Sequence, residues 1–128
     1  MYKVFLADDE VVVREGIRSS FPWETSNFVL AGEAPDGEIA LSLLREIKPD
    51  ILITDIRMPF MDGLELCRQT RAQLPWVKTI ILTGYDEFTY AKEALALGVK
   101  EYLLKPVSAQ ELDAALKRVA ALINEERR

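Results

Sequence analysis

The 128-residue chain carries 16 Lys and Arg against 21 Asp and Glu, a net charge of −5. That acidity, with no basic cluster longer than Arg127-Arg128, argues against direct nucleic-acid binding by this chain. No apolar run is long enough to span a bilayer and no signal peptide opens the chain, so a cytoplasmic location with no membrane contact is expected.

Tyr2 to Ala7 reads as a first strand ending in Asp8-Asp9-Glu10. Val13, Ile17 and Phe21 then recur four apart, one face of a helix that Pro22 closes. Asn27 to Ala34 holds a second apolar run, Phe28-Val29-Leu30-Ala31. Asp36-Gly37 is a turn, and Ile39, Ala40, Leu43, Leu44 and Ile47 make a helical stripe stopped by Pro49. Ile51-Leu52-Ile53-Thr54-Asp55 is short, apolar and β-branched, the pattern of a strand buried on both faces inside a parallel sheet. Pro59 and Asp62-Gly63 mark the loop beyond it, and a helix from there should reach about Gln73. Val77 to Leu82 reads as a fourth strand, ending in Thr83-Gly84. Phe88, Ala91 and Leu95 give the next helical face, with Gly98 as its C-terminal cap. Glu101 to Leu104 is a fifth strand, ending at Lys105-Pro106. Ser108 with Glu111 forms a capping box that opens a helix lined by Leu112, Leu116, Val119 and Ile123. The polar tail 124–128 is expected to fray. Trp23 and Trp76 each follow a proline and are expected to pack over the ends of the core.

Five strand–helix alternations predict one α/β domain, residues 1–128, with a doubly wound parallel sheet covered by helices on both faces. The single cysteine, Cys67, excludes an internal disulfide and suits a reducing compartment; its apolar helical neighbours make packing its expected role. The chain has no histidine, so any metal must be held by oxygen, which points to a hard cation such as Mg²⁺.

In such a sheet the strand ends emerge on one edge, where ligands bind. That edge receives Asp8 and Asp9, Asp55, Thr83 and Lys105 from four different strands. Crowded carboxylates raise one another's pKa unless a cation joins them. A metal, a lysine and a hydroxyl around one carboxylate suit phosphoryl transfer, with Asp55 itself as nucleophile. Singly these residues have plainer roles: Asp55 or Asp8-Asp9 as a helix cap, Lys105 as a surface charge, Thr83 as a strand residue.

Leu6-Ala7-Asp8-Asp9-Glu10, Ile53-Thr54-Asp55-Ile56-Arg57-Met58-Pro59, Met61-Asp62-Gly63, Leu82-Thr83-Gly84 and Tyr102-Leu103-Leu104-Lys105-Pro106 together resemble the receiver domain of bacterial two-component response regulators. The resemblance covers essentially the whole chain. It implies a flavodoxin-like (βα)5 fold with strand order 2-1-3-4-5, and Asp55 as phosphoacceptor. It implies Mg²⁺ held by Asp8, Asp9, Asp55 and the backbone carbonyl of Arg57, with Lys105 pairing with the phosphoryl group. Thr83 and Tyr102 would be the switch residues, Tyr102 having as its plainer role a half-buried aromatic on an edge strand. Lys105-Pro106 would be a cis peptide. The phosphodonor would be a sensor histidine kinase docking along the first helix, Val11 to Ser20. The fourth helix, fifth strand and fifth helix would form an output and homodimer face, with Lys117 or Arg118 pairing with acidic partners.

Trp23-Glu24, the Asp55-to-Pro59 run and Gly84-Tyr85-Asp86-Glu87-Phe88 further resemble receivers that precede AraC-type DNA-binding domains. Residues 124–128 would then stand in the place of a linker; a stand-alone receiver acting through protein contacts is the alternative. Arg57 and Tyr85, two residues beyond Asp55 and Thr83, are expected to shield the phosphoryl group from water. The domain would not be an enzyme beyond its own phosphorylation and dephosphorylation. A Mg²⁺-dependent aspartyl phosphatase needs a second Asp where Arg57 stands. A flavin-binding module lacks its phosphate loop, because Asp8-Asp9-Glu10 would repel a phosphate.

Overall fold

The computed structural model describes residues 1–84 and 88–128, and their side chains except those of Phe88 and Ala91. Five strands, β1 (Tyr2–Ala7), β2 (Phe28–Ala34), β3 (Ile51–Asp55), β4 (Lys78–Thr83) and β5 (Glu101–Leu104), form one parallel sheet in the order β2-β1-β3-β4-β5. Between and after them run α1 (Val11–Ser20), α2 (Gly37–Ile47), α3 (Gly63–Gln73), α4 (Phe88–Ala96) and α5 (Ala109–Glu126). A short 3₁₀ turn, Trp23–Thr25, precedes β2. Among the described residues no helix is long and apolar enough to cross a membrane.

Alternation along each strand divides the core in two. Val4 and Leu6, Ile51 and Ile53, and Ile80 and Leu82 face α1 and α5, where Ile17, Phe21, Leu112, Leu116, Val119 and Ile123 cover them. Phe5, Ala7 and Leu52 face the other way, onto Ala40, Leu41, Leu44 and Leu66. A third cluster, including Ile56, Leu64, Cys67, Ile81 and Ala94, joins α3 and α4 to the sheet. Burial pushes the Cys67 thiol up to about 12, in keeping with a packing role.

The helix starts follow local chemistry. Asp36 accepts from the Ile39 N–H and Asp62 from the Glu65 N–H, each capping its helix. Ser108 and Glu111 close both bonds of a capping box at α5. Ser108→Ala should cost about 1 kcal/mol, measured as a lower urea midpoint at unchanged slope. Gly98, at φ +84, ends α4 where the chain must turn left-handed.

Four expectations are corrected. The stretch 124–128 does not fray as a whole: α5 runs to Glu126 because its last turns are bonded to the sheet. The Tyr2 hydroxyl donates to Asn124, Lys78 to Glu126 at 2.7 Å and Arg127 to Asp50 at 2.7 Å. Of the described side chains, Tyr90 and Ala94 of α4 and Leu97 just past its end face inward, whereas Leu95 is exposed; Phe88 and Ala91 lie outside the described side chains. Ile39 leaves the α2 stripe for solvent. Trp23 packs on Phe21 with ring centroids 4.5 Å apart, but Trp76 is exposed.

Candidate functional site

The register that pairs Leu6 with Ile53 and Ala7 with Thr54 sets Asp8 beside Asp55 one step further along. Both carboxylates are buried, a costly placement without counter-charge. Lys105, arriving from the end of β5, supplies it. Its Nζ lies 2.9 Å from Asp8 Oδ2, 3.1 Å from Asp55 Oδ2 and 3.0 Å from Glu10 Oε1. The Lys105–Pro106 peptide bond is cis.

Backbone donors hold the other oxygens. The Glu10 N–H donates to Asp8 Oδ1 and the Ile56 N–H to Asp55 Oδ1, each at 2.8 Å. Arg14 donates to the Asp8 carbonyl. Asp8 Oδ2, fully buried, is reached by Lys105 as an ion pair but without the alignment of a hydrogen bond. Ligand oxygens of Asp8, Asp9, Glu10 and Asp55 all lie within 4.8 Å of one another.

Electrostatics follow from this crowding. Burial, then the neighbouring Asp8 carboxylate, push Asp55 up to about 7, against the opposing pull of Lys105. Burial likewise raises Asp8. Burial alone would lower Lys105, but its acidic partners, Asp8 first, hold it above the ordinary lysine range. An under-satisfied buried oxygen, carboxylates pushed toward protonation and an all-oxygen donor set fit a hard divalent cation of the Mg²⁺ type.

The structure thus gathers Asp8, Asp9, Asp55 and Lys105, as residue type and strand position suggested. It adds Glu10, which the sequence showed only as the third acid of a run. Glu10 precedes α1 in extended conformation without capping it, so its side chain is free to meet Lys105. Thr83 ends β4, buried, its hydroxyl donating to the Gly84 carbonyl at 3.1 Å. Tyr102 points outward on β5, 47% exposed. The Arg57 side chain leaves the cluster and lies over the Tyr90 ring, 5.2 Å from its centroid. Tyr85 lies outside the described residues. Beside the acids, Glu10, Val12, Val13, Ile17, Pro106 and Val107 border a largely apolar groove between α1 and the β5–α5 loop.

Residues 4–117 match the family described as response regulator receiver domain. The chain is 44% identical over 121 residues to the uncharacterized transcriptional regulatory protein YesN of Bacillus subtilis, covering 94% of this chain and 33% of that one. Among solved structures it is similar to the REC domain of AraT, a response regulator from Geobacillus stearothermophilus. That match has a TM-score of 0.93 and 45% identity, over 99% of this chain and 98% of the other. It is also similar to a two component transcriptional regulator AraC from Clostridium phytofermentans, with a TM-score of 0.90 and 29% identity, over 99% and 98% of the two chains. The chain spans a third to a half of the length of the curated relatives it matches.

Proposed function

The chain belongs to the response regulator receiver domain family of two-component signalling, and from that premise we propose that Asp55 is its phosphoacceptor. The observation that carries this is the Asp55 carboxylate, buried at the end of β3 beside Asp8 and 3.1 Å from the Lys105 ammonium. A carboxylate oxygen of Asp55 attacks phosphorus, the bond to the leaving group breaks, and that group departs with the electron pair. The Ile56 N–H fixes the orientation of the attacking carboxylate. Lys105 loses some of its hold on Asp55 and gains the incoming phosphoryl oxygens, a charge already in place before the reaction. Asp8 and Asp9, with Asp55 and the Arg57 carbonyl, would hold Mg²⁺, and Glu10 stands near enough to join them. Bound there, Mg²⁺ supplies the positive charge that keeps these carboxylates ionised and offsets charge on the phosphoryl oxygens.

Thr83 would then turn its hydroxyl from the Gly84 carbonyl to the phosphoryl group, and Tyr102 would turn inward, a population shift toward the state that bonds the added group. This chain has no histidine, so a histidine donor lies on another chain; membership of the receiver family supports a phosphohistidine on a sensor kinase as that donor. Exposed Val11 and Val12 beside the apolar groove of α1 support docking there. Exposed Leu95, Tyr102 and Leu104 support a homodimer through α4, β5 and α5; on that face Arg118 already pairs with Glu101 and Lys117 with Asp113. Likeness to AraT and to the clostridial AraC regulator supports an AraC-type DNA-binding output in the whole protein, with residues 1–128 as its one receiver domain.

Acetyl phosphate with Mg²⁺ should add one phosphate by intact mass, and none in EDTA. Borohydride reduction and peptide mapping should place it on Asp55. No phosphate, or phosphate on another residue, would overturn the assignment.

A further inference from the structure

Arg57 stands two residues past Asp55, in an open groove that it shares with Asp9, Asp62 and Tyr90. Its guanidinium rests on the Tyr90 ring of α4. Of the acids along the groove, Asp62 caps α3 through the Glu65 N–H at 2.8 Å, and Asp9 lies with the acidic cluster. Among the described residues no carboxylate forms an ion pair with Arg57. A guanidinium at the edge of the site, held among the described residues by the face of an aromatic ring, is available to an anion that arrives later.

We propose that Tyr90 is a positioning residue that parks Arg57 on α4 and yields it to the phosphoryl group once Asp55 carries one. The proposal rests on Asp55 being the phosphoacceptor. A phosphoryl group offers several anionic oxygens to the planar guanidinium, a stronger partner than the face of a half-buried ring. Over those oxygens Arg57 covers an approach that water needs. Hydrolysis forms a bond from a water oxygen to phosphorus and breaks the bond from phosphorus to Asp55. It releases inorganic phosphate, returns the carboxylate, and passes the water's proton to solvent or phosphate. Arg57 slows that step, and its departure from Tyr90 removes one of the ties between the β3–α3 loop and α4, the packing of Ile56 remaining. Phosphoryl state and α4 position are thereby coupled, and the coupling is reciprocal.

The test loads the chain with acetyl phosphate and Mg²⁺, removes the donor, and follows the half-life of the aspartyl phosphate by intact mass. Arg57→Ala should shorten it severalfold. Tyr90→Leu frees the guanidinium and should lengthen it about two- to fivefold, the worth of a cation–ring contact open to solvent on one side, expressed as an equilibrium factor. Tyr90→Phe keeps the ring and should stay within about twofold of wild type, as the same contact persists. In the Arg57→Ala background, Tyr90→Leu should change nothing. An unchanged half-life in Tyr90→Leu, or an equal change with and without Arg57, would overturn the proposal. Should Tyr90→Leu fold poorly, the unphosphorylated wild type still decides it by NMR: the Arg57 side-chain protons should carry a ring-current shift that addition of acetyl phosphate and Mg²⁺ removes. A shift that persists in the phosphorylated protein overturns the proposal. A wild type that never takes phosphate removes the phosphoacceptor assignment as well, so the two failures are distinguishable.

Discussion

Asp55→Asn should abolish phosphate uptake and, in metal-free buffer at pH 7, stabilise the domain by about 2 kcal/mol. Nucleophile and liability are the same group. Burial and the Asp8 carboxylate raise Asp55 from an ordinary 3.8 to about 7, so the folded state disfavours its ionised form. Taken whole, that shift corresponds to about 4 kcal/mol at pH 7. That figure is already net of the Lys105 ion pair; roughly half of it should be seen in the variant, because relaxation and water entry around a crowded buried carboxylate reduce such a penalty. Between pH 3.8 and 7 the folded state binds more protons at Asp55 than the unfolded state does. Stability therefore falls as pH rises through that window, and the loss is absent below it. The raised Asp8 acts in the same direction. The raised Lys105 matters only above the ordinary lysine range, outside this window. Urea unfolding in EDTA at several pH values between 4 and 7 should show wild type weakening as pH rises and Asp55→Asn doing so less. Mg²⁺ should then raise wild-type stability more than that of the variant, by mass action on a site the variant has impaired. A variant no more stable than wild type in EDTA, with the same pH slope, would mean that Asp55 is not held against its charge.

The divide between what the sequence reveals and what it hides runs between strand ends and side-chain trajectories. Asp8, Asp55 and Lys105 can be assembled from the chain alone, because a carboxylate or ammonium at the C-terminal end of a parallel strand has one edge of the sheet to occupy. Glu10 cannot, since its role depends on an α1 start that it does not cap. Tyr90 is hidden by a choice of helical phase. The segment from Phe88 to Leu97 is apolar enough to offer two stripes, Phe88, Ala91 and Leu95 or Tyr90, Ala94 and Leu97. Of the described side chains, Ala94 joins the cluster of Ile81 and Leu64, with Tyr90 and Leu97 packed against it, while Leu95 faces solvent. The last turn of α5 escapes a sequence reading for a related reason. Asn124, Glu126 and Arg127 look like a solvated tail until Tyr2, Lys78 and Asp50 are found waiting for them at the opposite edge of the sheet from Asp55.

Gly63→Ala should be the most damaging single methyl group in the chain near the site, costing about 3 kcal/mol or more and slowing phosphate uptake at Asp55. Gly63 opens α3, and its N–H donates to the Ile56 carbonyl at 2.6 Å. A Cβ there would collide with the Asp55 carbonyl oxygen and lie 2.9 Å from the Ile56 Cα, both backbone atoms with no rotamer to yield. The helix would have to withdraw from the end of β3, taking with it the loop that orients Asp55 and Ile56. Asp62 would lose its capping geometry in the same movement. Gly16 provides the internal comparison. It lies within α1, and a methyl group added there would meet nothing within 4 Å, so Gly16→Ala should stabilise by about 0.5–1 kcal/mol through helix propensity. In the sequence Gly16 and Gly63 both read as glycines in or beside a helix; the distance to a neighbouring backbone separates them. Equal urea midpoints for the two alanine variants would mean that α3 does not lean on the end of β3, and with that the support beneath the Asp55 carboxylate would be lost.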